Sequence, residues 1–351
     1  PPRRGSPSRP GALRRDAQLV MKAFVQSAVR EFSLRDLPVP RAGPGEIVLR
    51  VRTALTCGTD LKLLSRGHAQ IALPVTMGHE GCGEIVEVGE GVTEFSVGDR
   101  VVPGVSGPCG SCEECRRGLP NLCAAGHTAR TWGTFAEFLR VPAPVVAHNL
   151  HVIPPGMSDE VAAFLDPLAS VFHGWNRLSH RGDRFLIYGS GALALLWALV
   201  VRWRGGRATV AGRRPDRLEF ARTLGAETLD VSGGPPDRFA ADFAVDCTGS
   251  AEVWERLAGL VSPGGQVLLF GGCAPRARVC FDASSLHYSE ISLAGSFHYT
   301  PDDARAALQA LASGELDPLP LISGRGGLSE LPRLLDAHRR GEGIRYAISM
   351  P

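Results

Sequence analysis

Arg184-Phe-Leu-Ile-Tyr188 continues into Gly189-Ser190-Gly191-Ala192-Leu193-Ala194. A short apolar strand runs into a G-x-G-x-x-A turn, and the turn opens an apolar helix over Leu193 to Arg204. That strand–turn–helix setting is what the dinucleotide fingerprint requires. Gly189 permits the tight turn, Gly191 lets backbone approach a pyrophosphate, and the small Ala194 lets helix and strand pack closely. The pyrophosphate would rest on the helix N-terminus, where free N–H groups and the helix dipole favour an anion. A Gly-rich turn alone is weak evidence, because a turn before any buried helix reads similarly; the flanking strand and helix supply the specificity.

Downstream the same texture repeats. Short buried strands are expected at Ala208 to Ala211, Phe243 to Cys247, Gln266 to Phe270 and Ile291 to Ala294, separated by helices at Pro215 to Leu224 and Ala251 to Leu260. Strand–helix alternation of this kind argues for an α/β doubly wound parallel sheet. A further helix, Asp302 to Ser313, and a final strand, Arg345 to Ile348, close the chain. The tip of the second strand reports on the cofactor. NAD sites place a carboxylate there for the ribose 2′-hydroxyl, whereas this strand ends in Gly212-Arg213-Arg214-Pro215. Two guanidiniums suit a dianionic 2′-phosphate, which favours NADP(H); a solvated Arg pair in an Arg-rich chain is the plainer alternative.

Upstream, from Met21 to about Val146, the pattern is different: β-type runs at Met21 to Val25, Glu46 to Arg52, Gly83 to Val88, Arg100 to Pro103 and Phe135 to Val141, split by Gly, Pro and Asp. This reads as an irregular, largely antiparallel β domain with long loops. The 351 residues suffice for two domains of ordinary size, and the boundary is expected near residue 166. The longest apolar run, Ala192 to Val201, has ten residues, half of the ~20 that span a bilayer, so no membrane span is expected. The net charge of +2 has a local source: residues 1–20 carry five Arg and one Asp, and the rest is slightly acidic. No nucleic-acid footprint is therefore expected, and the Pro-, Arg- and Ser-rich 1–20 segment is expected to be a disordered extension.

Cysteines carry the next signal. There are nine, an odd number, with no signal-like apolar segment before them, so reduced thiols in a cytoplasm are expected rather than a disulfide framework. Cys109, Cys112, Cys115 and Cys123 form C-x2-C-x2-C-x7-C within a Gly- and Pro-rich loop. Four thiolates closing in one loop match a tetrahedral structural zinc. An iron–sulfur cluster is the nearest alternative, although the short bacterial cluster run has a different final spacing. A third constellation is dispersed: Cys57-Gly58-Thr59-Asp60, then Gly78-His79-Glu80, then Asp166-Pro167. A thiolate, an imidazole and carboxylates are the ligand set of a catalytic zinc that keeps one position open. Taken singly, a buried cysteine or a surface histidine means little; beside a dinucleotide site they describe a metal next to a nicotinamide.

These motifs, with Gly98-Asp99-Arg100-Val101, resemble in content and order the zinc-dependent medium-chain alcohol and polyol dehydrogenases, over residues 21–351. The resemblance implies a GroES-like catalytic domain from residues 21–166 and 297–351, with a Rossmann domain of residues 167–296 inserted between. It implies zinc ligation by Cys57 and His79, with Glu80 able to enter or leave the coordination sphere and Asp166 standing where relatives carry a third ligand, Cys or Glu. Asp166 to Gly174 and Gly212-Arg-Arg-Pro215 also look like NADP-dependent bacterial secondary-alcohol dehydrogenases. Arg345 matches a basic position that contacts the cofactor in relatives. Relatives often have His where this chain has Lys62, which leaves the outer proton path open.

The expected activity is hydride exchange between an alcohol (polyol, sugar or secondary alcohol) and NADP(H), with one catalytic and one structural zinc. Thr59 would accept the alcohol proton, and Asp60 would orient a metal ligand. An NAD-linked polyol or threonine-type amino-alcohol dehydrogenase is the alternative. A zinc-free quinone or enoyl reductase would not need Cys57, His79 and the cysteine lobe, and a non-catalytic scaffold would not need an intact dinucleotide loop. The substrate is a small alcohol or carbonyl compound, and a homodimer or homotetramer is expected.

Overall fold

A computed structural model of the chain describes residues 19–68, 71–179 and 181–351. The expected disordered extension lies outside the described residues, except that Val20 already belongs to the strand Val20–Ala28 and the Leu19 carbonyl accepts the Val39 amide.

One layer is a six-stranded, fully parallel sheet. From edge to edge it runs Glu227–Asp230, Arg207–Gly212, Arg184–Tyr188, Ala241–Asp246, Val261–Leu269 and Ser292–Gly295. Chain order grows outward in both directions from Arg184–Tyr188, so a crevice opens at the carboxyl ends of that strand and Ala241–Asp246, where ligands bind in such sheets. The strands are nearly continuous Val, Ile, Leu, Phe and Ala because helices cover both faces. The helix Ala192–Trp203 is apolar almost all round and accordingly sits in the core, with Trp197 fully buried.

The second layer is a mixed seven-stranded sheet. Its path is Ile322–Gly327, Arg345–Ser349, Ile47–Leu55, Glu80–Val88, Arg100–Pro103 and Leu150–Val152, with Phe138–Val141 also paired to Ile47–Leu55. The last strand of the chain thus lies against a strand near its beginning, in the register Ala347 opposite Leu55. A smaller sheet joins Val20–Ala28 to Glu31–Pro38 and Val75–Thr76. The strands Glu31–Pro38, Glu227–Asp230 and Ile322–Gly327 were not legible from apolar patterning, because they are edge strands with mostly exposed or half-buried side chains.

Two helices tie the layers together. Leu165–Asn176, which contains the whole Asp166 to Gly174 run, packs against Pro301–Ala312. Asp303 accepts from His173 Nδ1 and from Asn176, both at 2.8 Å, while it closes a reciprocal N-terminal cap with Thr300. A buried carboxylate with this many donors stays below the usual carboxylate range despite its burial.

Candidate functional site

Cys57 caps the helix Gly58–Arg66 immediately after the strand Ile47–Leu55. Its backbone is extended, its sulfur accepts the Thr59 amide at 3.5 Å, and its own amide donates to Asp60 Oδ2 at 2.8 Å. This reciprocal cap fixes the direction of the sulfur before any metal is considered. Antiparallel pairing then places Glu80 opposite Leu55, so the start of the strand Glu80–Val88 arrives beside Cys57. Gly78 makes the turn into it at φ +89°, and a Cβ there would lie 2.5 Å from Thr134 Oγ1 and 2.8 Å from the Phe135 backbone. Only glycine meets both demands.

The ligand atoms of Cys57, His79 and Glu80 consequently lie within 4.8 Å of one another. His79 turns Nε2 toward Glu80 Oε1 at 3.9 Å and Nδ1 toward Asp60 Oδ1 at 3.3 Å, and its ring stands edge-on to Trp132 at 4.6 Å. Asp60 is fully buried, so one carboxylate orients both the cysteine and the histidine. Burial alone would lower the His79 pKa, but Asp60 and Cys57 outweigh it and hold the pKa well above the ordinary value. A pocket that pulls a positive charge onto its own histidine is electrostatically suited to a cation. His79 Nδ1 and Asp60 Oδ1 have no strictly directed hydrogen-bond partner although both are buried, and a histidine whose outer nitrogen faces a carboxylate is the usual arrangement around a ligated metal. The donor set fits zinc.

Arg345 enters this cluster from the last strand. Only 1% exposed, it pairs with Glu80 Oε2, donates to the Thr56 carbonyl at 3.3 Å, and lies over the Phe164 ring at 5.7 Å. The structure thus puts Arg345 behind Glu80 rather than among the side chains lining the Gly-rich crevice. Burial raises the Glu80 pKa, and Arg345 and His79 oppose that rise. Asp166, in the first turn of Leu165–Asn176, is outside the converging trio: its Oδ1 accepts the Tyr299 hydroxyl at 2.7 Å, and the Val105 amide donates to the same hydroxyl at 2.9 Å. Burial raises the Asp166 pKa, with His79 and the Tyr299 bond opposing it. Asp166 is therefore next to the cluster electrostatically but held back by Tyr299.

The four lobe cysteines come together as spacing predicted. Cys109, Cys112, Cys115 and Cys123 present sulfurs within 4.8 Å of one another. Backbone amides point at them: Cys109 N to Cys123 Sγ and Cys112 N to Cys109 Sγ at 3.4 Å, Gly126 N to Cys123 Sγ at 3.3 Å. Hydrogen bonds from Ser111, then from the Cys112 amide, pull the Cys109 thiol down to about 6, toward the thiolate a metal needs, while the Cys112 and Cys115 thiols beside it are raised. The remaining cysteines divide. Cys82 is buried in its strand, whereas Cys280 is exposed and Cys273 half-buried outside any strand, because both fall in the irregular stretch between Val261–Leu269 and Ser292–Gly295.

The Gly-rich turn lines a cavity of about 270 Å³ with Gly189, Ser190, Gly191, Gly212, Arg213 and Arg214. Gly189 has φ +120°, and a Cβ on Gly191 would meet nothing within 4 Å and project into open space at the start of Ala192–Trp203. An open, side-chain-free helix start of this kind fits a pyrophosphate. Ala194 is fully buried, in the packing role its size suggested. Sequence reasoning missed Trp132 and Tyr299, because each is brought to the site by tertiary packing from a loop with no local motif.

Fold and site together define a zinc-binding dehydrogenase. Residues 43–154 match the alcohol dehydrogenase GroES-like domain and residues 192–313 the zinc-binding dehydrogenase domain. The chain is 38% identical over 312 residues to D-altritol 5-dehydrogenase of Agrobacterium fabrum, covering 85% of this chain and 90% of that one. It is 31% identical to sorbitol dehydrogenase of Halalkalibacterium halodurans (94% and 99% covered) and to L-threonine 3-dehydrogenase of Rhizobium rhizogenes (92% and 96%). A zinc-binding dehydrogenase of Sinorhizobium meliloti 1021, solved with NADP bound, superposes with a TM-score of 0.85 at 28% identity, over 95% of this chain and all of that one. The chain belongs to the zinc-dependent medium-chain alcohol and polyol dehydrogenase family, and it is an oxidoreductase of the alcohol dehydrogenase type that uses zinc and a nicotinamide cofactor. Among the described residues no helix is long and apolar enough to cross a membrane.

Proposed function

We propose that the protein interconverts a polyol, sugar or secondary alcohol and its carbonyl product with NADP(H) as the hydride partner. The observation that carries the cofactor choice is the tip of Arg207–Gly212, where Arg213 and Arg214 line the cavity beneath the Gly-rich turn. The NADP bound to the Sinorhizobium meliloti relative supports the same reading.

When bound, zinc supplies Lewis acidity toward the substrate oxygen, and the nicotinamide exchanges a hydride with the carbinol carbon. Cys57 and His79 would hold the catalytic zinc, with Glu80 the carboxylate beside them and Asp166 a further carboxylate that Tyr299 holds back from the trio. Asp60 keeps His79 turned to the metal, and Arg345 restrains Glu80. Thr59, half-buried two residues beyond Cys57, takes up the alcohol proton, and Lys62, exposed one turn further on, links it to solvent. Trp132 and Tyr299 exclude water from the metal's flank. Cys109, Cys112, Cys115 and Cys123 hold a second, structural zinc. The catalytic part is assigned to residues 21–166 and 297–351, the cofactor part to 167–296. A cytoplasmic setting is supported by nine free thiols. Self-association through the free edge of Ser292–Gly295, flanked by exposed Tyr288 and Phe297, gives a homodimer or homotetramer.

The second reading is an NAD-linked polyol or threonine-type dehydrogenase, favoured by the sorbitol and L-threonine dehydrogenase relatives. The test is kcat/KM for NADP+ against NAD+ over a panel containing D-altritol, sorbitol, L-threonine and simple secondary alcohols, followed at 340 nm. A preference for NAD+ rejects the first reading, and turnover of L-threonine alone selects the second.

A further inference from the structure

A second cavity, about 250 Å³, adjoins the one beneath the Gly-rich turn, and the two share Tyr188, Arg213, Val231 and Thr248 as wall. Its far side is formed by the helix Ala251–Leu257, which contributes Glu252 and Arg256. Arg213 and Arg256 therefore line one space, one just past the end of a strand and the other in the last turn of a helix.

The two sequence arginines are not equivalent. Arg214 is engaged by Asp216, at 2.6 and 3.1 Å, and lines only the first cavity. Arg213 and Arg256 make no ion pair or hydrogen bond among the described residues, and both side chains are exposed to the cavity solvent. Their charges converge on the Tyr188 hydroxyl: burial raises the Tyr188 pKa, Arg213 and Arg256 pull it back, and Glu252 adds to the rise. Two unengaged guanidiniums lining one cavity, which adjoins the Gly-rich turn, form a site suited to an anion.

We propose that Arg256, together with Arg213, grips the 2′-phosphate of the adenosine half of the cofactor, and that Glu252 in the same cavity tempers that grip. The proposal rests on the NADP(H) reading above and extends it to a residue from the third strand–helix unit, 43 positions from Arg213. In this arrangement the phosphate is held across the crevice, so bound cofactor joins Arg207–Gly212 to Ala251–Leu257. Arg214 stays with Asp216 and contributes little.

The experiment is calorimetric and needs no turnover. The full chain is titrated with 2′,5′-ADP (adenosine 2′,5′-bisphosphate) and, separately, with 5′-AMP, which differ only in the 2′-phosphate. Wild type should bind 2′,5′-ADP at least ten times more tightly. Arg256→Gln should cost 2′,5′-ADP about tenfold in Kd, the loss of one charge-assisted contact at a wet site, with 5′-AMP little changed. Arg256→Lys should restore part of the loss, and Glu252→Gln should tighten 2′,5′-ADP several-fold. If wild type prefers 2′,5′-ADP while Arg256→Gln leaves that preference intact or weakens both ligands alike, the clamp is wrong and the NADP(H) reading stands. If wild type binds both ligands equally, the NADP(H) reading and the clamp both fail.

Discussion

Replacing Asp60 tests the central geometry of the site most directly. Its Oδ2 takes the Cys57 amide at 2.8 Å and its Oδ1 stands 3.3 Å from His79 Nδ1. Asp60→Asn preserves shape and one acceptor, so the cap on Gly58–Arg66 survives, but the charge that orients and polarises His79 is gone. A charge-assisted contact of this kind is worth about 1.5–3 kcal/mol, and carboxylates behind a ligating histidine typically account for 10–100-fold in metal affinity. Zinc affinity at the Cys57 site should accordingly fall about 10–100-fold. Asp60→Ala should add the lost cap, about 1 kcal/mol of stability. The assay is competition of the zinc-loaded protein against a chromogenic chelator, with metal content measured after gel filtration. Zinc on the cysteine lobe serves as the internal reference, because Asp60 does not touch it. If Asp60→Asn surrenders zinc no more readily than wild type, then Asp60 does not support His79 and the electrostatic argument for the site collapses.

Two further outcomes follow from other parts of the molecule. Cys112→Ser opens the lobe and should lower zinc from about two to about one per chain by mass spectrometry of the metal, with a drop in Tm. Unchanged metal and Tm would remove the structural zinc. His151, buried and bonded to Asn149 Oδ1 at 2.9 Å, has its pKa pushed down to about 4, chiefly by burial and then by Arg305. The unfolded chain therefore binds a proton that the folded chain refuses between about pH 6.5 and 4, so stability from this group is present above that window and lost as pH falls through it. His151→Phe should flatten Tm against pH over this range, and an unaltered slope would contradict the assignment.

Much of the site could be read from the chain because the relevant signals are local. Cys109 to Cys123 can close on one ion since they share a single loop, and Gly189 to Ala194 reads as a cradle because strand, turn and helix are contiguous. The strands Arg184–Tyr188 and Arg100–Pro103 were legible from their apolar runs, whereas edge strands such as Glu31–Pro38 and Glu227–Asp230 are mostly exposed or half-buried and leave no such trace. From its place after Cys57, Asp60 is expected to orient a metal ligand, and in the structure it reaches both the Cys57 amide and His79. That it also caps the helix carrying Cys57 needed the coordinates.

Residue types and spacings already name the chemistry on offer: thiols and an imidazole at ligand spacings, a Gly-rich turn between strand and helix, and arginines where a carboxylate could have stood. Only the tertiary structure decided which of those groups meet. The final strand, pairing Ala347 with Leu55, carries Arg345 to Glu80 across 265 residues; Tyr299 reaches Asp166 across 133; and Arg256 comes to line one cavity with Arg213. Periodicity and spacing describe neighbours along the chain, whereas a buried ion pair or a shared cavity is fixed by strand register and helix packing, which are settled between segments far apart in sequence.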